Sequence, residues 1–163
     1  MTNIRSGLTI FGASAVMIAS GTSHAQTADV IFNGNIADAC TVVADSPGTL
    51  AVNGTNTLLA STEAGGGPGA ATVTASSSTF EVTVDAPTGF DTAPAGSDTN
   101  TTFGTTYDAS GATTASSVAG TTATALGAGV TTLAVNASAT KSSGIYESGS
   151  YSLTTTVRCA AQK

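Results

Sequence analysis

The segment that most constrains the fold is residues 28–43, with the sequence ADVIFNGNIADACTVV. Val30, Phe32 and Ile36 fall on one face of an extended chain, Gly34 lies between them on that face, and polar residues occupy much of the other. This period of two predicts a β-strand with one buried face. Because a single strand is not stable alone, we expect it to join a sheet, either in its own domain or in a neighbouring molecule.

Residues 1–25 are predicted to be a signal peptide. Arg5 supplies a positive start, residues 8–19 (LTIFGASAVMIA) form an apolar run that is short for a bilayer, and residues 23–25 (SHA) fit a small-x-small cleavage site. An uncleaved anchor is the alternative. We expect an exported chain, without direct membrane insertion, in which residues 26–163 form one domain.

Charge and histidine content argue against several functions. Cleavage would remove the only histidine, His24, and leave three cations against ten acidic residues, a net charge of −7. No basic surface then exists to hold nucleic acid or anionic lipid. Without histidine, a Ser-His-Asp triad, a Cys-His pair and the histidine-containing metal sites are excluded. We therefore expect no enzyme activity, no catalytic residues, no cofactor and no transition metal.

Three acidic residues leave one question open. Asp91, Asp98 and Asp108 lie in or near a loop that is rich in glycine and proline, where calcium could collect their oxygens. Their spacing fits no EF-hand loop, and acidic loop residues are usually only solvated. Calcium binding therefore stays open at this point.

The composition favours β-structure over disorder. Charged residues make up only 9% of the chain and the mean hydropathy is positive, whereas disordered chains usually combine high charge with low hydropathy. The clearest strand covers residues 79–85, with Phe80, Val82 and Val84 facing inward. Short strands between glycine and proline turns predict an all-β fold, an antiparallel immunoglobulin-like β-sandwich. Further strands are predicted at residues 40–44, 49–52, 70–75, 101–107, 130–137 and 149–159, while residues 109–120 fit a loop or an edge strand.

The chain has two cysteines, Cys40 and Cys159. An even number in a chain predicted to be exported makes a disulfide the default expectation. Closing nearly the whole mature chain would contribute about 4–5 kcal/mol in the loop-entropy treatment. Without a Cys-x-x-Cys motif, we expect a structural bridge that brings the first strand to the end of the last one.

The two ends of the chain carry a family resemblance. The alternating opening, followed by Cys-Thr-Val at residues 40–42, resembles the start of the archaic chaperone–usher pilins and the related spore coat protein U domain. Residues 149–157 (GSYSLTTTV) resemble their closing Gly-x-Tyr motif and the Thr/Val strand after it. There is one departure, because the family's second cysteine usually lies in the second body strand, near Ala75 here, whereas this chain has Cys159.

The resemblance implies a sandwich that is incomplete and is completed by a donor strand. In such proteins the N-terminal segment of the next subunit fills a hydrophobic groove, which a periplasmic chaperone fills before an outer-membrane usher assembles the fibre. Residues 26–37 would be the donor segment, with Val30, Phe32, Gly34 and Ile36 as the donor residues. Backbone ladder bonds would give affinity and alternate side chains would give register. Such a head-to-tail contact does not close, so it makes a fibre.

Two functions follow as hypotheses. The first is a structural subunit of a surface pilus or coat, which passes through the periplasm to the cell surface and assembles with copies of itself or related subunits. The second is a self-complete secreted binding or adhesion module. A donor strand between the strands of Cys40 and Cys159 would hold them about 9–10 Å apart, beyond the reach of a disulfide. Donation is therefore compatible with the disulfide only if the bridge lies beyond the end of the groove; otherwise residues 28–36 complete their own sandwich.

Overall fold

A computed structural model describes residues 26–163, and the predicted signal peptide, residues 1–25, lies outside the described residues. Residues 26–163 form ten β-strands and no helix, so this part of the chain contains no helical segment that could cross a bilayer. The all-β prediction is confirmed. The strands are β1 (Cys40–Ser46), β2 (Ala51–Val52), β3 (Leu58–Ala60), β4 (Gly69–Ala75), β5 (Phe80–Asp85), β6 (Thr101–Gly111), β7 (Ala115–Ala119), β8 (Thr124–Ala125), β9 (Gly129–Lys141) and β10 (Thr156–Ala161).

The strands pair antiparallel throughout and form two sheets. In the larger sheet, β9 is central: β6 pairs along one side, while β4 and then β3 pair along the other. Strand β1 lies outside β4, β2 lies outside β3, and β7 lies outside β6. In the smaller sheet, β5 lies between β10 and β8. The chain first passes from the larger sheet to the smaller one at residues 76–79, between β4 and β5.

The two sheets pack face to face around an apolar core. Val73 and Leu133 from the larger sheet and Val82 and Val84 from the smaller one are fully buried, which confirms the inward face predicted for β5. Tyr107 is buried with them, and its hydroxyl lies 2.7–3.2 Å from three oxygen atoms of β5, β8 and the loop before β8. These partners compensate for the burial of a polar group.

A second cluster of aromatic side chains packs against β3. Leu59 and Tyr146 are buried there, with Phe90, Phe103 and Tyr151 half-buried around them. The ring of Phe90 makes edge-to-face contacts, with centroid distances of 5.0 Å to Phe103 and 5.2 Å to Tyr151. Such pairs add to the stabilisation from burial alone. The cluster therefore closes the end of the sandwich where β9 finishes.

The last predicted strand is shorter than the sequence pattern indicates. Residues 149–159 alternate as a strand would, but β10 begins only at Thr156. Its partner β5 ends at Asp85, and Pro87 soon afterwards has no N–H to donate. The stretch before β10 therefore has no ladder partner apart from a single bridge to the loop after β5. Residues 109–120 extend β6 and then form the edge strand β7.

Candidate functional site

The disulfide joins the edges of the two sheets. Cys40 is the first residue of β1 in the larger sheet, and Cys159 lies in β10 of the smaller sheet. The two residues are bonded, with their Cα atoms 6.3 Å apart, so the disulfide prediction is confirmed. Cys40 and Cys159 also pack against the main core. The bridge therefore fixes one end of β1 next to the end of β10.

Both strands that carry the disulfide are edge strands. Within residues 26–163, β1 pairs with β4 alone and β10 pairs with β5 alone. Each strand therefore has one side whose backbone groups form no ladder with another strand of the described chain. Because the disulfide holds these two strands together at one end, their free edges border the same gap. Free edges of this kind accept an added strand readily.

Inward-facing side chains on both sides of this gap are incompletely covered. In β1, Val42 and Ala44 share the face of Cys40, since alternate residues of a strand point the same way. Val42 is nevertheless 38% exposed, and Ala44 is exposed as well. On the other side, Leu153 and Val157 are only half-buried. The core is thus closed between the two sheets but open along the line between β1 and β10.

A groove made of two adjoining cavities of about 300 and 340 Å³ lies past the end of this gap, among the residues that follow β1 (47–50) and those that precede β10 (149–155). Leu50 and Tyr151 line both cavities, so the two cavities lie side by side. The first cavity is also lined by Val135 and Leu153, and the second by Leu59 of the aromatic cluster. Apolar side chains therefore line the groove from the middle of the sandwich to its aromatic end, together with polar ones such as Thr49, Ser61 and Thr155.

The disulfide lies at the opposite end of this groove. Cys40 pairs with Ala75 at one end of β4, whereas Gly69 and Val135, which line the first cavity, pair at the other end. Six residues of strand separate the two levels, about 20 Å at 3.3 Å per residue. The bridge therefore lies beyond the groove, which is the arrangement in which a donor strand and the disulfide are compatible.

The predicted donor residues form no strand in the described chain. Residues 26–39 have no regular secondary structure, so the strand predicted at residues 28–36 is absent and the first strand begins at Cys40. Val30, Phe32 and Ile36 are 74%, 90% and 87% exposed. The physical reason is that an extended segment without a ladder partner gains nothing from strand geometry. Gly34 likewise has open space where a Cβ would stand.

The acidic residues considered for calcium instead anchor loops. Asp98 accepts a hydrogen bond of 3.0 Å from the backbone N–H of Phe90, and Asp91 accepts one of 2.7 Å from the hydroxyl of Thr154. Asp108 accepts a bond of 2.7 Å from a backbone N–H of β7. Across residues 26–163, no three histidine, cysteine or acidic side chains come together as a metal-binding group. Nothing in this geometry supports a calcium site.

The cations Lys141 and Arg158 lie in different surroundings. Lys141 donates from Nζ to the carbonyl oxygens of Ser97 and Thr99 at 2.8 and 2.7 Å, and it lies 5.1 Å from the ring centroid of Tyr146. Burial raises the pKa of the Tyr146 hydroxyl. Arg158 lies on the outer face of β10, where its side chain is 64% exposed and pairs with Asp85. Lys141 thus has a structural position, whereas Arg158 stands at the free edge beside the groove.

Sequence reasoning found one wall of the groove and missed the other. The alternation of residues 149–159 correctly placed Tyr151 and Leu153 on an inward face. Leu50, which lines both cavities, was predicted only as part of a short strand at residues 49–52. Its neighbour Gly48 approaches the backbone of Gly69 so closely that a Cβ there would stand 2.8 Å from the Gly69 nitrogen. The glycine after Pro47 was the available signal for this close approach.

Comparison with known proteins adds no assignment. No protein-family model matches the chain, and no match was found among curated proteins. A function is therefore inferred from the groove and the N-terminal segment.

Proposed function

We propose that this protein is a structural subunit of a surface pilus or coat and assembles head to tail by strand donation. Residues 26–37 of one copy would lie along the free edges of β1 and β10 of the next and extend into the groove. The observation that carries this proposal is the pair of free strand edges beside uncovered apolar side chains, in a chain whose N-terminal segment exposes Val30, Phe32 and Ile36.

The free strand edges beside the groove and the N-terminal segment each lack partners that the other can supply. The free edges of β1 and β10 lack ladder partners, and an added strand supplies backbone N–H and C=O groups to both. Val42 and Leu153 lack apolar cover, and the segment presents apolar side chains on alternate positions. Fully burying a side chain of the size of Val30 or Phe32 contributes about 1.5–3 kcal/mol. Donation therefore buries side chains that are otherwise exposed in both partners.

Assembly of this kind forms a filament of many copies rather than a closed dimer. The groove belongs to residues 40–163 and the donor to residues 26–37, so each copy offers one surface and accepts the other. A contact between two different surfaces repeats without closing unless its rotation forms a ring. The low charge of the chain, with many threonine, serine and alanine residues, suits close packing of copies in a filament.

Export is part of the same proposal. The Cys40–Cys159 disulfide is compatible with a periplasmic or extracellular location, where disulfides persist. A subunit with an unfilled apolar groove would aggregate in transit, which gives a reason for a periplasmic chaperone and an outer-membrane usher as partners. Within this proposal the protein acts by assembly, without catalysis, cofactor or metal.

A single substitution separates donation from a self-complete binding module. We expect Phe32→Asp in the full exported chain to prevent filament formation, because it places a charge in the apolar groove. Ile31→Asp is the matched control, since Ile31 is also apolar and exposed but lies on the other face of the segment. Electron microscopy of the surface fraction measures filaments, and thermal unfolding measures the stability of the monomer.

The two hypotheses predict different outcomes for this pair. Under donation, Phe32→Asp abolishes filaments and leaves monomer unfolding unchanged, while Ile31→Asp assembles as the unmodified chain does. Under self-completion, Phe32→Asp lowers the melting temperature of the monomer. Normal filaments from Phe32→Asp would show that the donor assignment is wrong.

A further inference from the structure

We propose that the donor strand has one register, in which Asp29 of the incoming copy lies opposite Arg158 of the accepting copy. This inference rests on the proposed function and specifies how its partner, a second copy of the chain, is recognised. It follows from the position of the disulfide, the sizes of the side chains along the groove, and the charge of Arg158.

The short linker between the donor segment and its own body sets the direction of the donor. Only residues 37–39 separate Ile36 from Cys40, where the body of the donating copy begins. That body must therefore remain outside the open end of the groove, beside the exposed residues Glu147 and Ser148. The N-terminal end of the donor then points toward the disulfide. Because β10 also runs toward the disulfide, the donor is antiparallel to β10 and parallel to β1.

The disulfide also limits how far the donor can enter. The bridge occupies the level of Cys159, so the first inward level available to a donor side chain is that of Val157. Placing Val30 at that level sets Phe32 opposite Thr155 and Gly34 opposite Leu153. Ile36 then falls opposite Tyr151, beside Leu50 across the groove.

Side-chain sizes fit this alignment. The largest donor residue, Phe32, meets the small Thr155, and Gly34 leaves room for Leu153, which lines the first cavity. Registers can differ only by two-residue steps, because a one-residue step would turn the apolar face outward. A step toward the open end would leave Val157 uncovered, and a step the other way would drive Val30 into the disulfide. Of the three registers, only the alignment with Val30 at Val157 covers Val157 without meeting the disulfide.

Charge selects the same register independently of size. In an antiparallel pair with Val30 opposite Val157, the preceding donor residue, Asp29, lies opposite Arg158. Asp29 is the single acidic residue of residues 26–37, and Arg158 is one of three cations in residues 26–163. The Arg158 side chain is exposed on the outer face beside the free edge, with Asp85 on its other side. A shift of two residues in either direction would place Asp29 against Thr156 or Ala160, which carry no charge.

Cysteine cross-linking between two full-length copies tests the register. One tagged copy carries Asp29→Cys and a second, differently tagged copy carries Arg158→Cys, and the two are exported together. Directly opposite residues of antiparallel strands have Cα atoms about 4.5–5.5 Å apart, within disulfide range. Thr156→Cys and Ala160→Cys are the matched controls, because a two-residue displacement adds about 7 Å along the strand. We expect a disulfide-linked pair of copies on a non-reducing gel for positions 29 and 158, and none for either control.

The outcomes separate the register from the proposed function. Cross-linking at position 156 or 160, or filaments without cross-linking at position 158, would overturn the register while donation stands. Absence of filaments from the unmodified chain, together with absence of every cross-link, would overturn donation and the register with it.

A double-mutant cycle tests the charge pair separately. We expect Asp29→Asn and Arg158→Gln each to weaken assembly about two- to fivefold, the range for an exposed ion pair. The double variant should be no weaker than either single variant, because the pair is already lost. Additive losses would show that Asp29 and Arg158 act independently and would contradict their pairing.

Discussion

Val42 and Val73 are direct partners in the ladder between β1 and β4, yet they differ in burial. Both are valines on the inward face of the larger sheet, but Val73 is fully buried and Val42 is 38% exposed. Val73 has β9 beside it and the smaller sheet across from it, whereas Val42 has an empty edge. The difference comes from a neighbouring strand rather than from residue type, because no strand of residues 26–163 covers the outer edge of β1 beside Val42.

The largest expected effect concerns the bond that holds β1 in place. The double variant Cys40→Ser, Cys159→Ser removes a bridge of sequence separation 119. We expect the free energy of unfolding to fall by about 4–5 kcal/mol, because the unfolded chain regains the entropy of an open loop. Urea unfolding of the oxidised and variant proteins measures the change. A loss below 1 kcal/mol would mean that β1 is held by β4 and the core without help from the disulfide.

Introducing aspartate at each of the two paired valines tests directly whether their environments differ. Val73→Asp buries an unpaired charge and should cost about 3–5 kcal/mol of monomer stability. Val42→Asp places its charge beside solvent and should cost under about 1 kcal/mol, as surface substitutions do. The Val42 variant should nevertheless fail to assemble, because its charge lies at the free edge of β1 where the donor strand would pair. Thermal unfolding and microscopy measure the two effects, and equal destabilisation by both variants would contradict the open edge.

The smallest expected effect is on the pH dependence of stability, and it tests whether Tyr146 is buried in the aromatic cluster. Burial raises the pKa of its hydroxyl, so folding favours the neutral phenol. This contribution to stability is fully present below about pH 10, the ordinary tyrosine value, and is lost as the pH rises through the raised pKa. Tyr146→Phe should therefore lose less stability than the unmodified protein as the pH rises above about 10. If the variant and the unmodified protein lost equal stability at alkaline pH, the Tyr146 hydroxyl would be exposed to solvent rather than buried.

The sequence predicted most of the elements because alternation is a local property. Val82 and Val84 were placed correctly on an inward face, and so were Tyr151 and Leu153, although the latter two precede β10 rather than form part of it. What sequence alone could not supply was the partner of each strand. The end of β5 at Asp85 limits β10, and this depends on residues about 70 positions away.

The groove was harder to predict than the strands. Its walls combine Leu50, Tyr151 and Leu59, which are far apart in sequence and belong to different local patterns. The donor segment shows the converse case. Its alternation at Val30, Phe32 and Ile36 suits a strand, but the described chain gives it no ladder partner, so it remains irregular. A period of two therefore predicts strand formation only where a sheet edge is available.

Amide hydrogen exchange of residues 28–36 tests the central claim most directly, with the full chain compared as monomer and as filament. Strand donation predicts rapid exchange of this segment in the monomer and strong protection in the filament, because its backbone N–H groups then bond to the edges of β1 and β10. Protection already present in the monomer would show that the segment completes its own sandwich. Rapid exchange in the filament would show that the copies assemble through another surface.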